Sequence, residues 1–143
     1  MNKNIFGEKL ITCSDSPLTG FFRNGCCDTD DSDVGLHTVC VIVDQDFLSF
    51  SKAVGNDLTT PLPQYGFEGL NVGDKWCLCA LRWKEALINN VAPKVILEAT
   101  NEKTLEVINL LSRYPLLLKR PLIKKNNNIF IGWNIEIEES LKK

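Results

Sequence analysis

The run His37-Thr38-Val39-Cys40-Val41-Ile42-Val43, closed by Asp44, decides the fold. It is apolar, rich in β-branched residues and of strand length, so it predicts a strand. Asp44 carries the side chain of a helix N-cap. Phe47, Phe50, Ser51 and Val54 then share one face of a helix over residues 45–54, which Gly55 ends.

Outward from this unit, Lys75–Leu81 alternates as a strand does, with Trp76, Leu78 and Ala80 on one face and Cys77, Cys79 and Leu81 on the other. Residues 82–90 read as a helix and 94–99 as a strand. Thr100 or Asn101 can cap a helix to about Arg113, just before Tyr114-Pro115. Residues 120–125 and 129–133 flank Asn126-Asn127-Asn128 as a hairpin, since Asn tolerates positive φ. Asn134 can cap a last short helix. Strands and helices mix without strict alternation, which predicts an α+β fold: a small two-layer mixed sheet with helices, long ordered loops and a C-terminal ββα extension. The loops are residues 13–37 and 55–74, both punctuated by Gly and Pro. No internal repeat or low-complexity segment interrupts this pattern.

At 44% hydrophobic and 24% charged, the 143-residue chain is composed like a globular protein that can bury a core. No apolar run approaches the roughly 20 residues of a membrane span. Met1–Ile5 lacks the apolar stretch of a signal peptide, so the cytoplasm is the expected location. Reduced thiols are expected for the six cysteines, with no disulfide required for stability. The net charge of −2 argues against nucleic acid, and no membrane partner or cofactor is expected; a homo-oligomer is left open. Residues 1–103 carry 9 Lys and Arg against 14 Asp and Glu, whereas residues 104–143 carry 7 against 4. This shift marks a junction, dividing the chain into 1–105 and 106–143.

Three constellations could carry chemistry. The first is the set Cys13, Cys26, Cys27, His37, Cys40, Cys77 and Cys79, which could hold a metal or supply a reactive thiol. Neither Cys26-Cys27 nor Cys77-x-Cys79 has zinc-knuckle spacing, and free cysteine also packs as a small hydrophobe. The second is the acidic run Asp28, Asp30, Asp31 and Asp33. Its EF-hand pattern fails at the sixth and twelfth positions, Asp33 and Val39, and a solvated loop with Asx turns is expected. The third is a polar patch of Arg23, Asp28, His37, Asn56, Asp57, Arg82 and Glu98. Cys26 or Cys27 with His37, the only histidine, would make a nucleophile and base, although no orienting third residue is evident and His37 could equally be satisfied at a strand start. Arg23 and Arg82 could clamp a carboxylate or phosphate, or pair with loop aspartates. Neither a Gly-rich phosphate loop nor Gly-x-Ser-x-Gly occurs.

Several segments resemble a known family. They are Asp15-Ser16-Pro17-Leu18-Thr19-Gly20-Phe21-Phe22-Arg23-Asn24-Gly25-Cys26-Cys27, Gly35–Cys40, Gly55–Pro61, Gly73–Ala80 with Arg82–Ala86, and Leu97-Glu98-Ala99-Thr100. In this order, over about residues 5–105, the chain resembles the uncharacterised bacterial family called domain of unknown function 2237. The family carries His then Glu after the Ala-Thr pair, where this chain has Asn101-Glu102. The resemblance implies a fold class and no reaction.

Residues 110–141 are similar to the C-terminal part of arsenate reductase and Spx-like proteins, through Leu111–Pro115, Leu118–Ile123 and Phe130–Trp133. That likeness implies a thioredoxin-type turn with Arg120 and a cis-Pro121 beside a cysteine.

Three functions follow: a binding domain with a polar, Cys-containing pocket, a thiol-dependent reductase, or a metal-binding protein. Whether the chain is an enzyme is not decided by its sequence. Arg23, Cys26, Cys27 and His37 are expected near Cys77, Cys79 and Arg82, at one edge of the sheet. Arg120-Pro121 should start an edge strand, with Trp133 packed on the helix of residues 101–113.

Overall fold

The computed structural model describes residues 2–111, 122–125 and 128–131, with side chains through residue 107. Strand β1 is Val39–Ile42, inside the run that the sequence singles out. Asp44 is extended and its carboxylate accepts the Phe47 N–H at 2.8 Å, starting helix α1 at Gln45–Ala53. This is the predicted cap.

Strand β2, Lys75–Leu78, is shorter than the expected 75–81. The Ala80 N–H donates to the Leu36 carbonyl at 2.9 Å, and the chain turns into helix α2, Ala80–Ile88, with Cys79 as its N-cap residue. Strand β3, Lys94–Ile96, also stops early, in a 3-10 turn over Leu97–Ala99. Thr100 explains that stop. Its hydroxyl donates to the Ile96 carbonyl at 2.8 Å and accepts the Cys40 N–H at 3.1 Å, replacing the ladder bonds β3 would have made. Helix α3 is Thr104–Leu111, and the hairpin strands β4 and β5 are Leu122–Lys125 and Asn128–Ile131.

The five strands form one mixed sheet in the order β2-β1-β3-β4-β5. β1 is antiparallel to both β2 and β3, β3 is parallel to β4, and β4 and β5 form the predicted hairpin, with Leu122 opposite Ile131 and Lys125 opposite Asn128. The fold is α+β. One expectation is corrected: β4 lies between β3 and β5, so the first strand of the hairpin is interior and not an edge. The bond before Pro121, the packing of Trp133, the helix after Asn134 and Arg120 lie outside the described residues.

The alternation of β1 and β2 sorts two clusters. Val39, Val41, Trp76 and Leu78 join Val95 in the main core, under Phe47 and Leu48 of α1, Trp83, Ala86 and Leu87 of α2, and Val107 of α3. Cys40 and Cys77 join a second cluster with Cys13, Cys27 and Ala99. No helix of the described residues is long and apolar enough to cross a membrane.

Candidate functional site

A cavity of about 370 Å³ lies against β2, the strand at one edge of the sheet. The long loops and the start of α2 build its walls: Thr19, Gly20, Phe21 and Arg23 from the first loop, His37 just before β1, Asn56 and Leu58 from the second, and Arg82 from α2. The β2 residues Trp76, Cys77 and Leu78, followed by Cys79, complete it. Thr19 fastens the first loop to the strand, its buried hydroxyl accepting the Cys77 N–H at 2.8 Å. An edge N–H that would otherwise face the cavity unpaired is thereby satisfied.

His37 is the best-organised polar group of this wall. Its Nδ1 lies 2.6 Å from Asp33 Oδ1, and the Asp33 side chain is 0% exposed. Asp33 Oδ2 accepts the His37 backbone N–H at 2.8 Å and the Thr29 hydroxyl at 3.0 Å. With a carboxylate at Nδ1, that nitrogen carries the ring proton, and Nε2 is left without a protein partner among the described residues. Phe21 stacks on the ring at 5.8 Å. The acidic run is therefore not uniformly solvated as expected. Asp30 does make an Asx turn, accepting the Ser32 N–H at 2.8 Å, whereas Asp33 is buried because it satisfies His37 and Thr29.

Cys79 is a free thiol whose Sγ donates to the Gly35 carbonyl at 2.7 Å. A Cβ at Gly35 would stand 3.0 Å from His37 Cε1 and 3.5 Å from Cys79 Sγ. The imidazole and the thiol thus converge on a backbone position that carries no side chain.

Two guanidinium groups complete the cavity. Arg23, held at φ 54°, lies over the Trp76 ring at 5.3 Å from its centre. Arg82 reaches Glu85 at 3.2 Å in a half-exposed pair, a contact of small worth that a ligand can replace. Among the described residues, the lining contains no carboxylate.

Six of the sequence candidates thus share one cavity: Arg23, His37, Asn56, Cys77, Cys79 and Arg82. Several others stand apart, and Arg120 lies outside the described residues. Cys26 is a free thiol turned toward Thr12 Oγ1 at 3.9 Å. Asp28 accepts from Asn24 at 2.8 Å. Asp57 holds its own turn, accepting from the N–H and hydroxyl of Thr59 at 2.9 and 2.8 Å and from Thr60, and the Thr60 hydroxyl keeps its carboxyl well below the usual carboxylate range. The Glu98 carbonyl accepts from Ile11 and Asn4. Asn101 is buried and donates to the Cys27 carbonyl at 3.1 Å, so the residue standing where the resembling family has His ties two segments together and does not line the cavity. Sequence reading did not single out Asp33, which orients the His37 ring, and it paired His37 with Cys26 or Cys27, neither of which lines the cavity, whereas Cys79 does. The only trace of the pairing was the four-residue spacing of Asp33 and His37.

Cys13 is bonded to Cys40 and Cys27 to Cys77, which corrects the expectation of reduced thiols for four of the six cysteines. The sheet face that carries Cys40 and Cys77 is covered by the loop bearing Cys13 and Cys27, which brings the sulfurs into bonding contact. Sulfur atoms of Cys13, Cys27 and Cys77 lie within 4.8 Å of one another, the geometry of a metal-holding group. As disulfide sulfurs they are not thiolates, the form in which cysteine ligates metal.

A small α+β domain with a cationic, thiol-lined cavity beside two buried disulfides is the class of protein that fold and site define. The chain belongs to the family described as an uncharacterised protein conserved in bacteria, domain of unknown function 2237, whose model matches residues 3–114. No curated protein matches the chain. The likeness of residues 110–141 to arsenate reductase and Spx-like proteins is not borne out by these comparisons.

Proposed function

We propose that the chain is a binding domain that takes a small anionic ligand, a carboxylate or a phosphate, into the cavity at β2. The single observation that carries this reading is the lining: Arg23, Arg82 and His37, with no carboxylate among the described residues that line it. Guanidinium groups suit such anions because their forked donors match two oxygens at once. Phe21, which is exposed, offers apolar surface to the rest of a ligand. In a thermal-shift titration with inorganic phosphate and short mono- and dicarboxylates, one class should raise Tm saturably, and at a hundredfold excess over Kd binding would add about 2.7 kcal/mol. Arg82→Gln should weaken that response. A flat titration with every anion would overturn the reading.

Two further proposals accompany it. The division at 105/106 is supported by the charge shift, while the β3–β4 pairing ties the extension into the same sheet. A cytoplasmic location, suggested by Met1–Ile5, and two buried disulfides make opposite demands, because cytosolic thiols are kept reduced. Alkylation of cells quenched in acid, read by mass spectrometry, decides between them: cysteines trapped as thiols favour the cytoplasm, and intact disulfides exclude its reducing interior.

A further inference from the structure

We propose that Cys79 is a nucleophilic thiol with His37 as its base and Asp33 as the residue that positions His37. It would attack an electrophilic carbon of a ligand whose anionic group is held by Arg23 and Arg82, so the inference rests on the anion-binding reading above. Three features converge on it. The buried Asp33 carboxylate fixes His37 at 2.6 Å through Nδ1 and leaves Nε2 to act. Cys79 is unbridged, unlike its neighbour Cys77, and lines the same cavity as His37. Gly35 lets the ring and the thiol approach one point, at 3.0 and 3.5 Å from where a Cβ would be.

A nucleophile, a base and an orienting acid are the parts that thiol catalysis requires. The thiol now donates to the Gly35 carbonyl, and for the step it would have to turn from that acceptor to Nε2. Such contacts are commonly loose before a ligand arrives. In the step itself, the Sγ proton passes to Nε2 and a bond forms from sulfur to carbon. The bond from that carbon to its leaving group breaks, and the leaving group departs with the electron pair. No oxidant or reductant is involved.

Iodoacetate and iodoacetamide test this in parallel, because they deliver the same carbon to sulfur with and without a negative charge. The intact protein is alkylated without reductant, so that the disulfides stay closed, and each site is followed by mass spectrometry. Cys26, the other free thiol, is the internal reference.

Cys79 should react faster than Cys26 with both reagents and favour iodoacetate more than Cys26 does. His37→Gln and Asp33→Asn should each slow Cys79 roughly tenfold, within the contribution of a positioned base, and leave Cys26 unchanged. A merely structural role for Asp33 would not move that ratio. Arg82→Gln should remove the iodoacetate preference alone. Cys79 reacting no faster than Cys26, or at a rate indifferent to His37→Gln, overturns the proposal. A His37-dependent rate with no preference for iodoacetate keeps the thiol and base pair and overturns the anionic ligand, and with it the binding reading.

Discussion

Cys40 and Cys77 stand opposite each other in the β1–β2 ladder, yet each is bonded to a different loop cysteine, Cys40 to Cys13 and Cys77 to Cys27. The ladder pair is the floor on which the first long loop is pinned. The second sulfur cluster and the main core are thus two faces of the same pair of strands, and the cavity opens beside them.

The two bonds close segments of 27 and 50 residues, for which chain entropy gives roughly 3–4 kcal/mol each. Thermal melts with and without reductant should therefore separate by several degrees, the opposite of the expectation drawn from the lack of a signal-peptide pattern in Met1–Ile5. Coincident melts would show that neither bond stabilises the fold.

Thr19→Val tests the fastening of the loop to β2. The substitution keeps the side chain's shape and removes the hydroxyl that accepts the Cys77 N–H. An unsatisfied buried donor costs about 1–3 kcal/mol, so the urea midpoint should fall accordingly with an unchanged m-value.

Gly35→Ala should act on the site more than on the fold. The new methyl would meet His37 Cε1 at 3.0 Å and Cys79 Sγ at 3.5 Å, and the half-exposed ring can give way by a few tenths of an ångström. Alkylation of Cys79 relative to Cys26 should change while Tm moves little. A large loss of Tm with an unchanged ratio would contradict this.

Asp57 predicts an acid-limb effect. Its carboxyl titrates below the usual 3.8 in the folded chain because Thr60 and Thr59 donate to the ionised form. A depressed folded value adds stability that is fully present above the unfolded pKa and is lost as pH falls through the folded one. The Tm difference between the wild type and Asp57→Asn should be constant from pH 7 to about 5 and shrink below about 4. A difference independent of pH down to 2 would refute the assignment.

The sequence made legible what depends on local patterning. Asp44 as a cap, the β-branched run around Cys40 and the paired strands β4 and β5 are each written within a few residues. The gathering of Arg23, His37, Asn56, Cys77, Cys79 and Arg82 was half visible, because the loops had to meet somewhere along the sheet. What stayed hidden depends on contacts between distant segments. Thr100 ends β3 by reaching across to Cys40, and the disulfide partners are 27 and 50 residues apart. Asp33 looked like one more solvated aspartate until His37 and Thr29 were seen to close over it.

The loop from Cys13 to Cys27 carries one wall of the cavity, Thr19 to Arg23, between two covalent anchors. Like a bridge deck fixed at both abutments, it can flex in the middle but cannot swing open from either end. The facing wall has no such tether. Asn56 and Leu58 are held without a covalent link, by the packing of Leu58 in the main core and by hydrogen bonds from Ser51 Oγ to the Asn56 carbonyl at 2.6 Å and from the Leu70 N–H to the Leu58 carbonyl at 2.8 Å. A molecule larger than the resting opening would therefore meet less resistance on the side that carries no disulfide. The covalent side stays in place as the template against which that molecule is shaped.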